Sequence, residues 1–309
     1  MKEALVSKVP VILDCDPGVD DAFAIVSSIL DPQIDLKLIT TVSGNVTVDL
    51  TTKNALYLVQ DLKSQVPVAS GAARPLLREL EAYEPWFGES GLGDYPDASG
   101  ELLQTATDDN AVAEMYQLLS ASEEPLTIVG TGSYTNLGLL LVEHPDIVYK
   151  IKQFVLMGGT LSQGNMSSVA EFNIYYDPDA ADLVYRSGVP IVTAGIDVCK
   201  KALVTFQSND AIAKMGKVGL KLADLLKKYA EKQVAGYIVY DLNTISYLLH
   251  PEFYKSEDYF IQVQKTGPAR GATVADISSK NDANVKVLTG VDDAKLNAWL
   301  VQELSRLVQ

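Results

Sequence analysis

A chain of 309 residues with 47% hydrophobic content can bury a sizeable core, as one large α/β domain or two smaller ones. Its 40 acidic against 25 basic residues give a formal charge of −15, which argues against nucleic acids and anionic membranes as partners, since both call for basic surfaces. No run approaches the roughly 20 apolar residues of a membrane span, and the stretch from Met1 to Lys8 lacks the apolar core of a signal peptide. Cys15 and Cys199 stand far apart without metal-type spacing, so neither a disulfide framework nor a zinc site is indicated. The expectation is a soluble, cytoplasmic protein.

The first element is an apolar run, Val9 to Leu13, read as a buried strand. It ends in Asp14, Asp16, Asp20 and Asp21, interrupted by the turn pair Pro17-Gly18, and an apolar helix follows over Ala22–Leu30. Further strands are expected at Leu36–Val42, Val66–Ala69, Leu126–Val129, Phe154–Met157 and Pro190–Ala194. Helices are expected at Val48–Leu62, Asn110–Ser120, Asn136–Val142 and Asp179–Arg186. Strands apolar on both faces, alternating with helices, predict an α/β fold: a mainly parallel central sheet with helices on both faces. Ligands in such folds gather beyond the carboxyl ends of the strands. Here those ends carry Asp14 to Asp16, Ser43-Gly44-Asn45, Thr131-Gly132-Ser133 and Gly158-Gly159, so they should share one rim.

Residues 70–107 show little periodicity and are rich in Gly, Pro and aromatics, including Tyr83, Trp86 and Phe87; a stretch this long inside a compact domain is usually functional or mobile. Later, Leu220–Gln233 and Tyr240–Leu249 read as helices, Tyr259–Val263 and Val285–Leu288 as strands, and Ala294–Leu307 as a final amphipathic helix. No repeat or convincing linker appears. The expected organisation is one domain over 1–309 with mobile active-site segments near 72–107 and 220–240.

One or two of the four aspartates are accounted for by capping of the following helix. Four crowded carboxylates repel unless a cation or shared protons relieve them, and hard divalent cations, calcium especially, accept such oxygen-rich shells. At this point the chain resembles the inosine–uridine-preferring nucleoside hydrolases. Asp14-Cys15-Asp16-Pro17-Gly18-Val19-Asp20-Asp21 is similar to that family's N-terminal signature. The likeness continues in Ile39 to Asn45, Gly130-Thr131-Gly132, Val155 to Gly159, Gly164 to Asn173, and Asp177-Pro178, in the family's order.

The resemblance implies a Rossmann-like nucleoside hydrolase fold that cleaves the N-glycosidic bond of ribonucleosides to free base and ribose, using calcium-bound water. It implies Asp16, Asp21, the Thr131 carbonyl and Asp241 as calcium ligands, with Asp16 also the general base. Asp20, Asn45, Asn173 and Asp241 would hold the 2′- and 3′-hydroxyls. Asn165 and Glu171 would hold the 5′-hydroxyl, with the Met157 carbonyl also on the sugar. Read alone, Asp241 is as readily the N-cap of Leu242–Leu249, and Asn45, Asn165 and Asn173 are as readily turn residues. A homodimer or homotetramer is expected, with a ribonucleoside as the only other partner.

The chain departs from the family where some members have leaving-group histidines: Tyr240 stands just before Asp241, and Phe87 precedes Gly88-Glu89-Ser90-Gly91. His144 and His250 both precede prolines at expected helix ends and read as structural. A phenol is protonated at neutral pH, so Tyr240 is the candidate donor to the departing base, the alternative being that it packs beside Asp241 while a loop residue or water helps the base leave. Of the 15 tyrosines, Tyr229, Tyr237 and Tyr240 near Asp241, and Tyr175 and Tyr176 beyond Asn173, are candidates for base stacking, although most tyrosines serve packing. Two other readings compete. One is a magnesium-dependent haloacid-dehalogenase-like phosphohydrolase built on Asp14-x-Asp16, with Asp292-Asp293 as the second acid pair. The other is a nucleoside-binding protein with impaired catalysis.

Overall fold

In the computed structural model the described residues are 8–79, 87–93, 95, 102–107, 110–276 and 282–308; the aromatics Tyr83 and Trp86 of the expected loop lie outside them. The strands run β1 Val9–Cys15, β2 Ile34–Thr41, β3 Val68–Ser70, β4 Leu126–Gly130, β5 Ile151–Met157, β6 Ile191–Ala194, β7 Leu203–Thr205, β8 Gly236–Ile238, β9 Tyr254–Val263, β10 Thr273–Asp276 and β11 Val285–Val291. Nine form one sheet in the order β10-β9-β11-β6-β5-β4-β1-β2-β3. From β3 to β11 every pairing is parallel, and β9 and β10 add an antiparallel edge. The fold is therefore α/β, with a mainly parallel sheet.

Alternation along the strands sends side chains to two apolar layers. In β1, Val11, Leu13 and Cys15 enter one layer and Ile12 the other; in β4, Val129 opposes Ile128, and in β5, Val155 opposes Phe154 and Leu156. The first layer is closed by helix Val19–Leu30, which packs on helices Val48–Asp61, Gly216–Tyr229, Leu242–Leu249 and Asp293–Leu304. The second is closed by helices Ala111–Ala121, Thr135–Glu143 and Pro178–Tyr185. Both faces are covered, as strands apolar on both sides require.

The order β3-β2-β1-β4-β5-β6 reverses direction between β1 and β4, the switch point where open parallel sheets leave a crevice beyond the strand ends. Asp14 of β1 lies opposite Gly130 of β4 in register, so Asp16 and Thr131 emerge side by side at that crevice.

Three differences from the sequence reading have physical causes. Helix Gly216–Tyr229 ends four residues before Gln233: Ala230 turns extended, and Gln233 N–H donates to the Gly236 carbonyl, which feeds the chain into β8. The pair β7–β8 and strand β10 are three or four residues long, below the length at which a period of two is recognisable. The short helix Phe172–Tyr176 stands where the motif reads as a loop, because the Glu171 carboxylate caps it.

Candidate active site

The polar floor begins with Asp14, whose Oδ1 accepts hydrogen bonds from Thr40 Oγ1 at 2.6 Å and Asn136 Nδ2 at 2.8 Å. Burial without a cationic partner pushes its carboxyl up to about 7. Asp16 Oδ2 accepts the Asn45 backbone N–H at 2.7 Å, and Asn45 Nδ2 donates to the Asp16 carbonyl at 3.0 Å. A Cβ at Gly44 would collide with the Asp16 carboxylate, so only glycine lets the loop after β2 close over it. Asp21 fastens the helix start through the Gly18 N–H at 2.9 Å, and its other oxygen accepts Thr131 Oγ1 at 2.8 Å.

Asp241 occupies the N-cap position of helix Leu242–Leu249, yet its side chain makes no capping hydrogen bond. It turns instead into the floor, where one carboxylate oxygen from each of Asp20, Asp21 and Asp241 lies within 4.8 Å of the others. Among the carboxylates, this trio has Asp20 where the resemblance implies Asp16, whose Oδ2 accepts the Asn45 N–H. Burial, then the charge of Asp21, raises the carboxyl of Asp16; burial, then Asp20, raises that of Asp241; and Asp20 rises to about 7 for the same reasons of burial and the Asp21 charge. Buried like charges this close demand shared protons or a cation. The donors are all oxygens, from carboxylates and a carbonyl, which fits a hard divalent ion.

Beyond the acids, Asn173 Nδ2 donates to the Thr131 carbonyl at 2.8 Å and the Met157 carbonyl at 3.2 Å, tying the ends of β4 and β5 together. Glu171 accepts from the backbone N–H groups of Gly159 and Asn173, each at 2.9 Å, and burial raises it to about 7. Asn165 Oδ1 accepts the Phe172 N–H at 2.9 Å. The structure brings these residues to one cavity of about 70 Å³, lined by Asp16, Asp20, Asn45, Thr131, Met157, Asn165, Glu171, Asn173, Tyr240 and Asp241, together with Phe87 and Phe172. Asp21 completes the acidic trio at its base. The Asp292-Asp293 pair is elsewhere, with Asp292 capping the last long helix.

A larger cavity of about 280 Å³ shares Asp20, Phe87, Asn165 and Tyr240 with the first and adds Val19, Tyr229, Ala230, Glu231 and Ile238. Phe87 comes from the segment expected near 72–107, and Tyr229, Ala230, Glu231, Ile238 and Tyr240 from the one expected near 220–240. The two segments meet where Gly93, with φ +53°, lies against the Tyr229 ring, an approach a Cβ would block. Tyr237 packs edge-on against Phe206, Tyr176 donates to Ser43, and Tyr175 lies under the Arg270 guanidinium, so among those five tyrosines only Tyr229 and Tyr240 line the cavities. His144 stacks on Tyr116 and His250 on Phe253, and neither lines a cavity of the site.

The Tyr240 hydroxyl donates to Glu231 Oε2 at 2.8 Å, and burial together with that carboxylate raises its pKa well above the ordinary phenol value. A phenol so held commits its proton to Glu231 and presents oxygen lone pairs to the cavity. Glu231 itself carries no sequence signal: in sequence it reads as part of the charged helix expected over Leu220–Gln233, and only the hairpin into β8 brings it to the cavity.

The family model described as inosine-uridine preferring nucleoside hydrolase matches residues 11–298. The chain belongs to this family. It is thus an enzyme, a hydrolase acting on N-glycosyl compounds. Among its relatives, a pyrimidine-specific ribonucleoside hydrolase RihA of Escherichia coli (strain SMS-3-5 / SECEC) is 40% identical over 92% of this chain and 94% of that one. A non-specific ribonucleoside hydrolase RihC of Salmonella newport (strain SL254) is 38% identical over 94% and 96%. The solved structure of a purine-preferring ribonucleoside hydrolase from Gardnerella vaginalis superposes with a TM-score of 0.88 at 29% identity, covering 97% of this nucleoside hydrolase chain and 99% of the other.

Proposed function

We propose that the protein hydrolyses the N-glycosidic bond of ribonucleosides to free base and ribose, with calcium held by Asp16, Asp21, the Thr131 carbonyl and Asp241. The observation that carries this reading is the convergence of the acidic and amide side chains on one small polar cavity that shares Asp20, Phe87, Asn165 and Tyr240 with a larger aromatic one. When bound, the cation supplies a Lewis acid that orients water, lowers its pKa and engages sugar hydroxyls. Asp16 takes the proton from the attacking water as general base. Asp20, Asn45, Asn173 and Asp241 hold the 2′- and 3′-hydroxyls, while Asn165, Glu171 and the Met157 carbonyl hold the 5′ end. The anionic floor stabilises the positive charge that develops on the ribose as the bond breaks. Phe87 and Tyr229 offer ring faces for the base. A cytoplasmic homodimer or homotetramer belongs to the same proposal.

Incubation with inosine, uridine and a nucleoside monophosphate tests it. Free base with ribose supports the hydrolase; inorganic phosphate alone marks a phosphohydrolase, and binding without products marks a nucleoside-binding protein.

A further inference from the structure

The relatives differ in the bases their names give, so the base cavity of this chain has to be read from its own residues. Among the described residues no Lys, Arg or His lines it. Its wall carries Glu231, fixed on three sides: Oε2 accepts the Tyr240 hydroxyl at 2.8 Å, Oε1 accepts Gln233 Nε2 at 2.9 Å, and its backbone carbonyl accepts the Ile238 N–H at 3.0 Å. A β-bridge between Lys232 and Tyr237 closes the same hairpin and holds the carboxylate in place. Each carboxylate oxygen accepts two hydrogen bonds, and a phenol oxygen whose proton is committed keeps its acceptor capacity. Glu231 and Tyr240 therefore present an edge that accepts and does not donate.

We propose that Glu231 is a specificity-determining residue that reads the base, accepting a hydrogen bond from an N–H on the base edge remote from the sugar. This rests on the hydrolase reading above. The substrate class is ribonucleosides whose base carries such a donor, and Tyr240 is a positioning residue that aims the carboxylate. A base without an N–H leaves the carboxylate facing ring-nitrogen lone pairs, an unpaired and repulsive contact. Sites built around a hydrogen bond discriminate strongly against analogues that lack it.

The test compares uridine with pyrimidin-2-one riboside, which has the same ring without N–H donors and is no larger. The two substrates differ in intrinsic reactivity, so the quantity read is the ratio of their kcat/KM values in each protein, from which that difference cancels between proteins. Glu231→Ala should lower the uridine preference by roughly tenfold or more, and Glu231→Gln, which keeps one acceptor but loses the charge, should lower it less. Activity on p-nitrophenyl riboside, which offers no N–H to lose, should not fall in either variant and reports an intact sugar site. Ribose release with an unchanged ratio in both variants would overturn the assignment of Glu231 alone. No ribose from any nucleoside with the wild-type protein would overturn the hydrolase reading, and this one with it.

Discussion

The polar floor and the aromatic wall of the site meet at Asp20, Phe87, Asn165 and Tyr240, but they are built differently. Floor residues issue from the ends of β1, β4 and β5 and from the helix starts beside them. Asp14, Asp16, Asp21 and Asp241 are all at most 3% exposed; the first three accept hydrogen bonds from Thr40, Asn136, Asn45 and Thr131, and Asp241 lies beside Asp20 and Asp21. The aromatic and acidic wall residues Phe87, Tyr229, Glu231 and Tyr240 issue from two segments outside the parallel sheet, and Glu231 is exposed to solvent. A buried, hydrogen-bonded floor tolerates no change of hydroxyl pattern, because every unmatched polar group there is left unpaired. A partly exposed wall of rings tolerates different bases. On the proposed assignment, the difference teaches that sugar recognition is fixed by the fold, while base recognition is set by side chains that can change without disturbing it.

The largest effect should follow from breaking the floor. Asp241→Asn or Asp21→Ala is expected to lower kcat/KM by on the order of 10²- to 10³-fold or more, the scale of losing one preorganised charge-stabilising group. Metal analysis of the purified variants should show loss of calcium. Full activity in metal-free protein would remove the cation from the account.

Breaking the wall should cost less. Tyr240→Phe releases Glu231 from its donor, and the expected loss on uridine is roughly tenfold, about the worth of one hydrogen bond. Pyrimidin-2-one riboside and p-nitrophenyl riboside should be spared. An equal loss on both nucleosides, with p-nitrophenyl riboside spared, would return Tyr240 to the role of leaving-group donor.

The contrast between floor and wall also explains what the sequence makes visible. Runs such as Val9–Leu13 and Leu126–Val129 are apolar on both faces, so the parallel sheet and the rim at its strand ends follow from pattern alone. The acids of Asp14 to Asp21 announce themselves by crowding. Asp241 does not: its local context is that of an N-cap, and only the family resemblance singled it out, whereas the structure turns its carboxylate away from capping. Glu231 was invisible because its placement depends on the hairpin between Lys232 and Tyr237, a contact with no periodicity. Tyr229 packs against the glycines at 88 and 93, just after Phe87, which sequence reading sees only as an irregular loop.

The smallest effect concerns stability. Burial holds Glu171 at about 7 against an ordinary 4.5. Between those values the folded chain binds more protons at this group than the unfolded chain, so its contribution to stability falls as pH rises across the window. Glu171→Gln removes that fall, expected to be about 1–3 kcal/mol across the window. Unfolding of both proteins from pH 4.5 to 7 checks it, and parallel curves would place the carboxylate in solvent rather than in the floor.

The claim that the floor reads the sugar is tested most directly by comparing kcat/KM for uridine and 2′-deoxyuridine with the wild-type protein. The account predicts that removing the 2′-hydroxyl costs on the order of 10³-fold or more, because Asp20, Asn45, Asn173 and Asp241 lose their partner. Comparable values for the two nucleosides would contradict it.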